Sequence, residues 1–217
     1  ENELNQPDDD AAVPAIETSA DQKNFSILIV EDNKDLNQLI SDHFQDQYTV
    51  YRAENGLQAL HIVREQEIDL IISDVMMPEM DGLTFCKIIK NDVNTSHLNV
   101  LMLTAKNTAE DRIECYNAGA DAFIAKPFEL GVLNARVKNL IGKRRQKVES
   151  FQHGQEINIS SMEYNSIDEV FLKQAVQVVE EKLADETFDF DQFAVDMSTS
   201  KSTLHRKLKS LTGLSPG

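Results

Sequence analysis

Three acids, a hydroxyl and a lysine stand out in this 217-residue chain because each sits at the end of a short apolar run. Glu31 and Asp32 follow Ser26-Ile27-Leu28-Ile29-Val30, and Asp74 ends Leu70-Ile71-Ile72-Ser73-Asp74. Thr104 ends the run that begins at Val100, and Lys126 follows Ala122-Phe123-Ile124-Ala125. Carboxylates brought together repel unless a cation joins them. Their oxygens are hard ligands, and magnesium typically takes one or two carboxylates together with waters and a phosphate. A carboxylate can also attack phosphorus to form an aspartyl phosphate. Lys126 could then bind one phosphoryl oxygen, and Thr104 could hydrogen-bond another and sense whether the group is present. The plainer reading of the acid pair is a helix-capping turn in which Asp32 or Asn33 is the cap. Met76, Met77 and Met80 lie on a loop, where packing is their default use.

The elements that must position these residues alternate along the chain. Strand-like runs occur at Ser26–Val30, Tyr48–Ala53, Leu70–Asp74, Val100–Thr104 and Ala122–Ala125. Helical spacing appears through Leu36, Leu39, Ile40 and Phe44, and again at Gly56–Glu65, Leu83–Asn91, Ala109–Asn117 and Leu130–Lys147. Five strands alternating with five helices predict an α/β fold with a parallel sheet and right-handed crossovers. In such sheets ligands bind outside the carboxyl ends of the strands, where all five candidate residues fall. The second strand offers no comparable group, which predicts a place at the sheet margin.

The stretches Ile29-Val30-Glu31-Asp32-Asn33, Ile72 through Gly82, Leu103-Thr104-Ala105 and Ala125-Lys126-Pro127-Phe128 together resemble the receiver domains of two-component response regulators. The resemblance covers residues 26 to 147. It implies a CheY/flavodoxin-like fold with strand order 2-1-3-4-5, and phosphorylation of Asp74 from the phosphohistidine of a histidine kinase. It further implies a Mg2+ ion held by Glu31, Asp32, Asp74 and the backbone carbonyl of Met76, with autocatalytic phosphotransfer and dephosphorylation. Phe123 matches an aromatic ring that reorients with Thr104 in that family; taken alone, it is a core residue. A phosphatase of the haloacid dehalogenase type also forms an aspartyl phosphate, but it needs a second acid two residues after the nucleophile. Met76 stands there instead.

The net charge of −16 argues against nucleic acid as a partner only on average. Acids crowd the first segment, whereas no acid occurs from Met197 to Gly217. Residues 1–24 predict a disordered acidic linker, residues 25–147 the receiver, and 148–166 a polar interdomain linker. The basic run Lys143-Arg144-Arg145-Gln146-Lys147 suits the C-terminal end of a helix. Two cysteines set in helical patterns predict packing rather than a disulfide, as in a reducing compartment. No apolar run approaches the roughly 20 residues needed to span a bilayer.

From Ile167 the helical period returns. Leu172, Ala175, Val176, Val179 and Leu183 suggest one apolar face, and Phe190, Phe193, Ala194 and Met197 suggest a second helix. After the turn Ser198-Thr199-Ser200 a third helix runs through Leu204, Leu208 and Leu211. This is helix-turn-helix logic, with a basic face of Lys201, His205, Arg206, Lys207 and Lys209 for phosphates and groove edges. Residues Phe193 through Pro216 resemble the first half of an AraC-type DNA-binding domain, which puts residues 167–217 in that half-domain. The resemblance implies DNA contacts through Lys201, Ser202, His205, Arg206 and Lys209, and a second helix-turn-helix beyond Gly217. A receiver joined to such a domain resembles the C-terminal end of a hybrid two-component sensor, cytoplasmic here and anchored in the inner membrane as a whole. The competing reading is an adaptor whose C-terminal helices only pair two chains into a homodimer.

Overall fold

The computed structural model describes residues 25–105, 108–152, 165–185 and 187–214. The predicted linker over 1–24 and the centre of the one predicted over 148–166 lie outside the described residues. Five strands, β1 (Ser26–Val30), β2 (Thr49–Ala53), β3 (Leu70–Asp74), β4 (Asn99–Thr104) and β5 (Ala122–Ala125), form one sheet in the order 2-1-3-4-5. All neighbours are parallel. The helices between and after them are α1 (Lys34–Phe44), α2 (Gly56–Glu65), α3 (Gly82–Asn91), α4 (Ala109–Asn117) and α5 (Leu130–Gln152).

Alternation along the strands splits the core in two. Leu28, Val30, Ile71 and Met102 face Phe85, Cys86 and Ile89 of α3 on one side. Ile27, Ile29, Ile72, Leu101 and Leu103 face Ile40 and Phe44 of α1 and Leu133 and Val137 of α5 on the other. Because both faces are covered, β3 is buried throughout, while β2 at the margin is partly exposed. Both cysteines are buried and free, and burial pushes the Cys86 thiol up to about 12. Each is an inert packing residue.

Beyond the sheet, α6 (Ser166–Lys182), α7 (Phe190–Asp196) and α8 (Lys201–Thr212) form a small bundle around Phe171, Leu172, Ala175, Phe193, Ala194, Met197, Leu204 and Leu211. The turn from α7 to α8 passes through Ser198 at φ 52° and ends on Ser200, whose side chain caps α8 at Thr203 N–H.

The helices depart from the sequence expectation at three points. The buried face of α6 is Asp168, Phe171, Leu172 and Ala175, whereas Val176, Val179 and Leu183 are exposed. Two apolar stripes share Leu172 and Ala175, and spacing alone does not choose between them. The helix α5 continues to Gln152, so 148–152 is not linker and the basic run lies inside the helix. Finally, Lys207 does not join an outward basic face. It is 1% exposed.

The bundle rests on the receiver edge formed by the amino ends of the strands, and α8 packs along α5. Arg144 of α5 pairs with Asp69 at 2.6 Å and donates to Ser210 of α8 at 2.9 Å. Lys207 pairs with Asp168 and donates to Ser96 Oγ of the α3–β4 loop at 2.7 Å. Ser96 Oγ donates in turn to Asp168, and its carbonyl accepts from Asn165.

His97 sits in this junction with its Nδ1 enclosed and, among the described residues, without a hydrogen-bond partner. Burial, followed by the charges of Lys207, Arg144, Lys90 and Arg206, holds the imidazole well below its ordinary range. Glu67 and Asp69 line the same cleft. The unfolded chain takes up a proton near pH ~6.5 that the folded chain refuses. Stability from this group is therefore intact above that pH and falls as pH drops through it. Denaturant midpoints measured between about pH 7.5 and 5.5 should show this fall, and His97→Gln should flatten it.

Candidate functional site

The ladder between β1 and β2 ends at Val30 and Ala53, so the chain past it is free to turn. Asn33 caps α1, accepting from the N–H groups of Asp35 and Leu36. The capping role thus falls to Asn33, and Asp32 is left exposed at the mouth of the site. Glu31 is 1% exposed and Asp74 7%. Oxygens of Glu31, Asp32 and Asp74 all lie within 4.8 Å of one another.

Lys126 reaches in from the end of β5. Its Nζ lies 2.7 Å from Glu31 Oε2 and 2.9 Å from Asp74 Oδ2. The other Asp74 oxygen accepts from Val75 N–H at 2.7 Å. Burial raises the Glu31 carboxyl above its ordinary range; the Lys126 hydrogen bond opposes this and the Asp74 charge adds to it. Burial alone would lower the Lys126 ammonium, but its bonds to Glu31 and Asp74 outweigh that and raise it. A lysine so held stays charged and gives two crowded carboxylates a shared counter-charge. Three hard carboxylate oxygens this close, with more negative charge than one lysine offsets, suit a small divalent cation such as Mg2+.

Loops on either side support the site. Gly82 passes so close to β3 that an added Cβ would lie 1.9 Å from the Asp74 carbonyl oxygen, so glycine is required there. Asn55 caps α2 and also donates to Glu79 at 3.1 Å, while Gly56 N–H donates to the Met80 carbonyl. These contacts hold the loop after Asp74 against the one after β2. Thr104 is buried at the end of β4 and lines a cavity of about 390 Å³ together with Met76, whose side chain is 59% exposed. Phe123 is half-buried, edge-on to Tyr116 at 5.6 Å, with Arg112 over its ring. The structure therefore gathers Glu31, Asp32, Asp74 and Lys126 into one cluster, with Thr104 nearby and Phe123 behind α4.

The predicted DNA-contacting residues divide. Lys201 and Ser202 are exposed at the start of α8, with Lys201 paired to Asp191. Arg206 and Lys209 instead line a cleft of about 180 Å³ facing the receiver, where Lys209 lies 3.9 Å from Glu67. His205, between these two pairs in sequence, is half-buried. Sequence reading missed Ser96 and Asp168, since neither carries a pattern beyond an ordinary loop serine and a first-turn acid. Among the described residues, no helix is long and apolar enough to cross a membrane.

Residues 27–138 match the family model described as response regulator receiver domain. Histidine kinase P4 of Formosa agariphila is 37% identical over 196 residues, covering 90% of this chain and 14% of that protein. The DNA-binding dual master transcriptional regulator RpaA of Synechocystis is 32% identical over 133 residues, 61% of this chain and 55% of that protein. The chain thus spans a small part of the first relative and about half of the second. Among solved structures, chemotaxis response regulator CheY4 of Vibrio cholerae is 32% identical with a TM-score of 0.51, covering 54% of this chain and 98% of that one. The signal receiver domain of a signal transduction histidine kinase from Syntrophus aciditrophicus is 34% identical with a TM-score of 0.52, covering 54% and 90%.

Proposed function

The chain belongs to the response regulator receiver family, and from that premise we propose that Asp74 accepts a phosphoryl group from a histidine kinase phosphohistidine. The carboxylate forms the new O–P bond as the P–N bond breaks, and the imidazole leaves neutral because its other ring nitrogen already carries a proton. The observation that carries the reading is the convergence of Glu31, Asp32 and Asp74 within 4.8 Å, clasped by Lys126. Lys126 is placed to turn from Asp74 to an incoming phosphoryl oxygen. Glu31, Asp32, Asp74 and the Met76 carbonyl would hold Mg2+, which supplies charge neutralisation when bound. Thr104 and Phe123 form the switch that reports the phosphorylated state.

The output we assign to α6–α8 is DNA regulation, as the first half of an AraC-type domain in a hybrid two-component protein. Its support is the turn between α7 and α8, the exposed Lys201 and Ser202 at the start of α8, and a match to Formosa agariphila histidine kinase P4 that runs well beyond the receiver. A second reading makes the helices a protein-contact device, and one observation favours it: Lys207, Arg206 and Lys209 face the receiver.

Incubation with a small phosphodonor and magnesium should add one alkali-labile phosphoryl group. Lys126→Ala should slow its initial rate by about 100-fold, because a charged donor aimed at the transferring group is lost. An unchanged rate would remove Lys126 from the mechanism, and no incorporation by the unaltered chain would sink the whole reading.

A further inference from the structure

We propose that Asn37 is a positioning residue for the acidic site, fixing the end of β1 and thereby the stance of Glu31 and Asp32 toward a divalent cation. The inference rests on the metal-binding reading of those acids. Glu31 and Asp32 lie past the last paired residues of β1 and β2, Val30 and Ala53, so the ladder no longer fixes Asp32 and reaches Glu31 through its N–H. The Glu31 carbonyl is held by a side chain one turn into α1. Asn37 is 2% exposed, and its Nδ2 donates to the carbonyls of Glu31 and Ala53, each at 3.0 Å. Ala53 O also accepts Glu31 N–H at 3.1 Å, so the two strand ends are tied through one carbonyl. On its other side Asn37 Oδ1 accepts from Arg52 Nε at 2.7 Å.

That arrangement is chemically one-way. Two carbonyls need two donors and the guanidinium needs an acceptor, which the planar amide supplies in one orientation. Aspartate would set oxygen against oxygen, and an apolar residue would take the amide donor from the Glu31 carbonyl and leave Ala53 O with Glu31 N–H. Groups that orient the ligands of a metal, without touching it, typically alter its affinity 10- to 100-fold.

The test is Mg2+ affinity, measured by calorimetry on the unphosphorylated full chain, beside unfolding midpoints taken in chelator. Asn37→Leu should weaken Mg2+ binding by about tenfold or more. Arg52→Met leaves Asn37 Oδ1 with the longer contact from Ser41 Oγ at 3.5 Å and should weaken it by a smaller factor. By charge alone, deleting a cation near an acidic site would tighten cation binding, so a weaker Kd reports geometry. Ile89→Val, in the last turn of α3, should lower the unfolding midpoint with Kd unchanged. A folded Asn37→Leu with wild-type Kd overturns the proposal; should that variant fail to fold, an unchanged or tighter Kd in Arg52→Met does the same. Absence of Mg2+ binding by the unaltered chain overturns the acidic-site reading itself, and this inference with it.

Discussion

Asp74→Asn is expected to reduce alkali-labile phosphate incorporation to background while leaving the fold intact. The substitution keeps shape and removes the charged nucleophile, and a neutral amide does not form the O–P bond at a useful rate. Its carbonyl oxygen can still accept from Val75 N–H, and Lys126 keeps its 2.7 Å contact with Glu31. Stability should be retained or raised, because the Asp74 charge that crowds Glu31 is gone. Mg2+ affinity should fall as one hard ligand is lost. Intact mass after treatment with a small phosphodonor and magnesium checks the first expectation, and thermal unfolding in chelator checks the second. Alkali-labile phosphate on the Asp74→Asn chain would mean that Asp74 is not the acceptor.

The second large effect is expected at the opposite end of the strands. Asp168→Ala should cost about 3–5 kcal/mol, because it leaves the Lys207 ammonium buried without its counter-charge. Ser96 Oγ remains as a neutral acceptor but does not replace a carboxylate. Burial already lowers the Lys207 ammonium despite Asp168, and losing the partner should lower it further. The sign follows from linkage: the unfolded chain keeps the proton up to about pH 10.4, while the folded variant releases it earlier. The stability deficit of Asp168→Ala should therefore shrink as pH rises toward that value. Pairing the change with Lys207→Met should recover much of the loss, since a buried ion pair exchanged for apolar groups is often neutral. Urea unfolding of the single and double variants provides the measurement. Equal stability of Asp168→Ala and the unaltered chain would show that the bundle does not rest on Ser96 in this way. Phosphoryl acceptance should survive in the double variant, because Ser96 precedes β4 whereas Asp74 and Thr104 close β3 and β4.

The acidic site was legible in the sequence because parallel strands buried on both faces appear as unbroken apolar runs. The residue that ends such a run must lie on the carboxyl edge of the sheet. Glu31, Asp74, Thr104 and Lys126 could be assigned to one place from that rule, and the strand order followed from the family resemblance. The cap of α1 was ambiguous between Asp32 and Asn33, since both are good caps one residue apart. Asn37 carried no signal, because a polar residue on an amphipathic helix ordinarily faces water. Only the approach of Arg52 and the end of β2 makes it a buried clamp.

The C-terminal third shows the limit more sharply. The sequence by itself determined three helices, the turn before Ser200 and the segregation of positive charge, all of which depend on near neighbours along the chain. It did not determine which of two overlapping stripes on α6 is buried, that α5 continues past Lys147, or that Lys207 is enclosed. These outcomes depend on which surface meets which. Spacing along a helix limits the faces a side chain can share, whereas burial is set by the element packed opposite. Tertiary structure alone placed α8 against α5, turned Lys207, Arg206 and Lys209 toward the receiver, and left Lys201 and Ser202 outside.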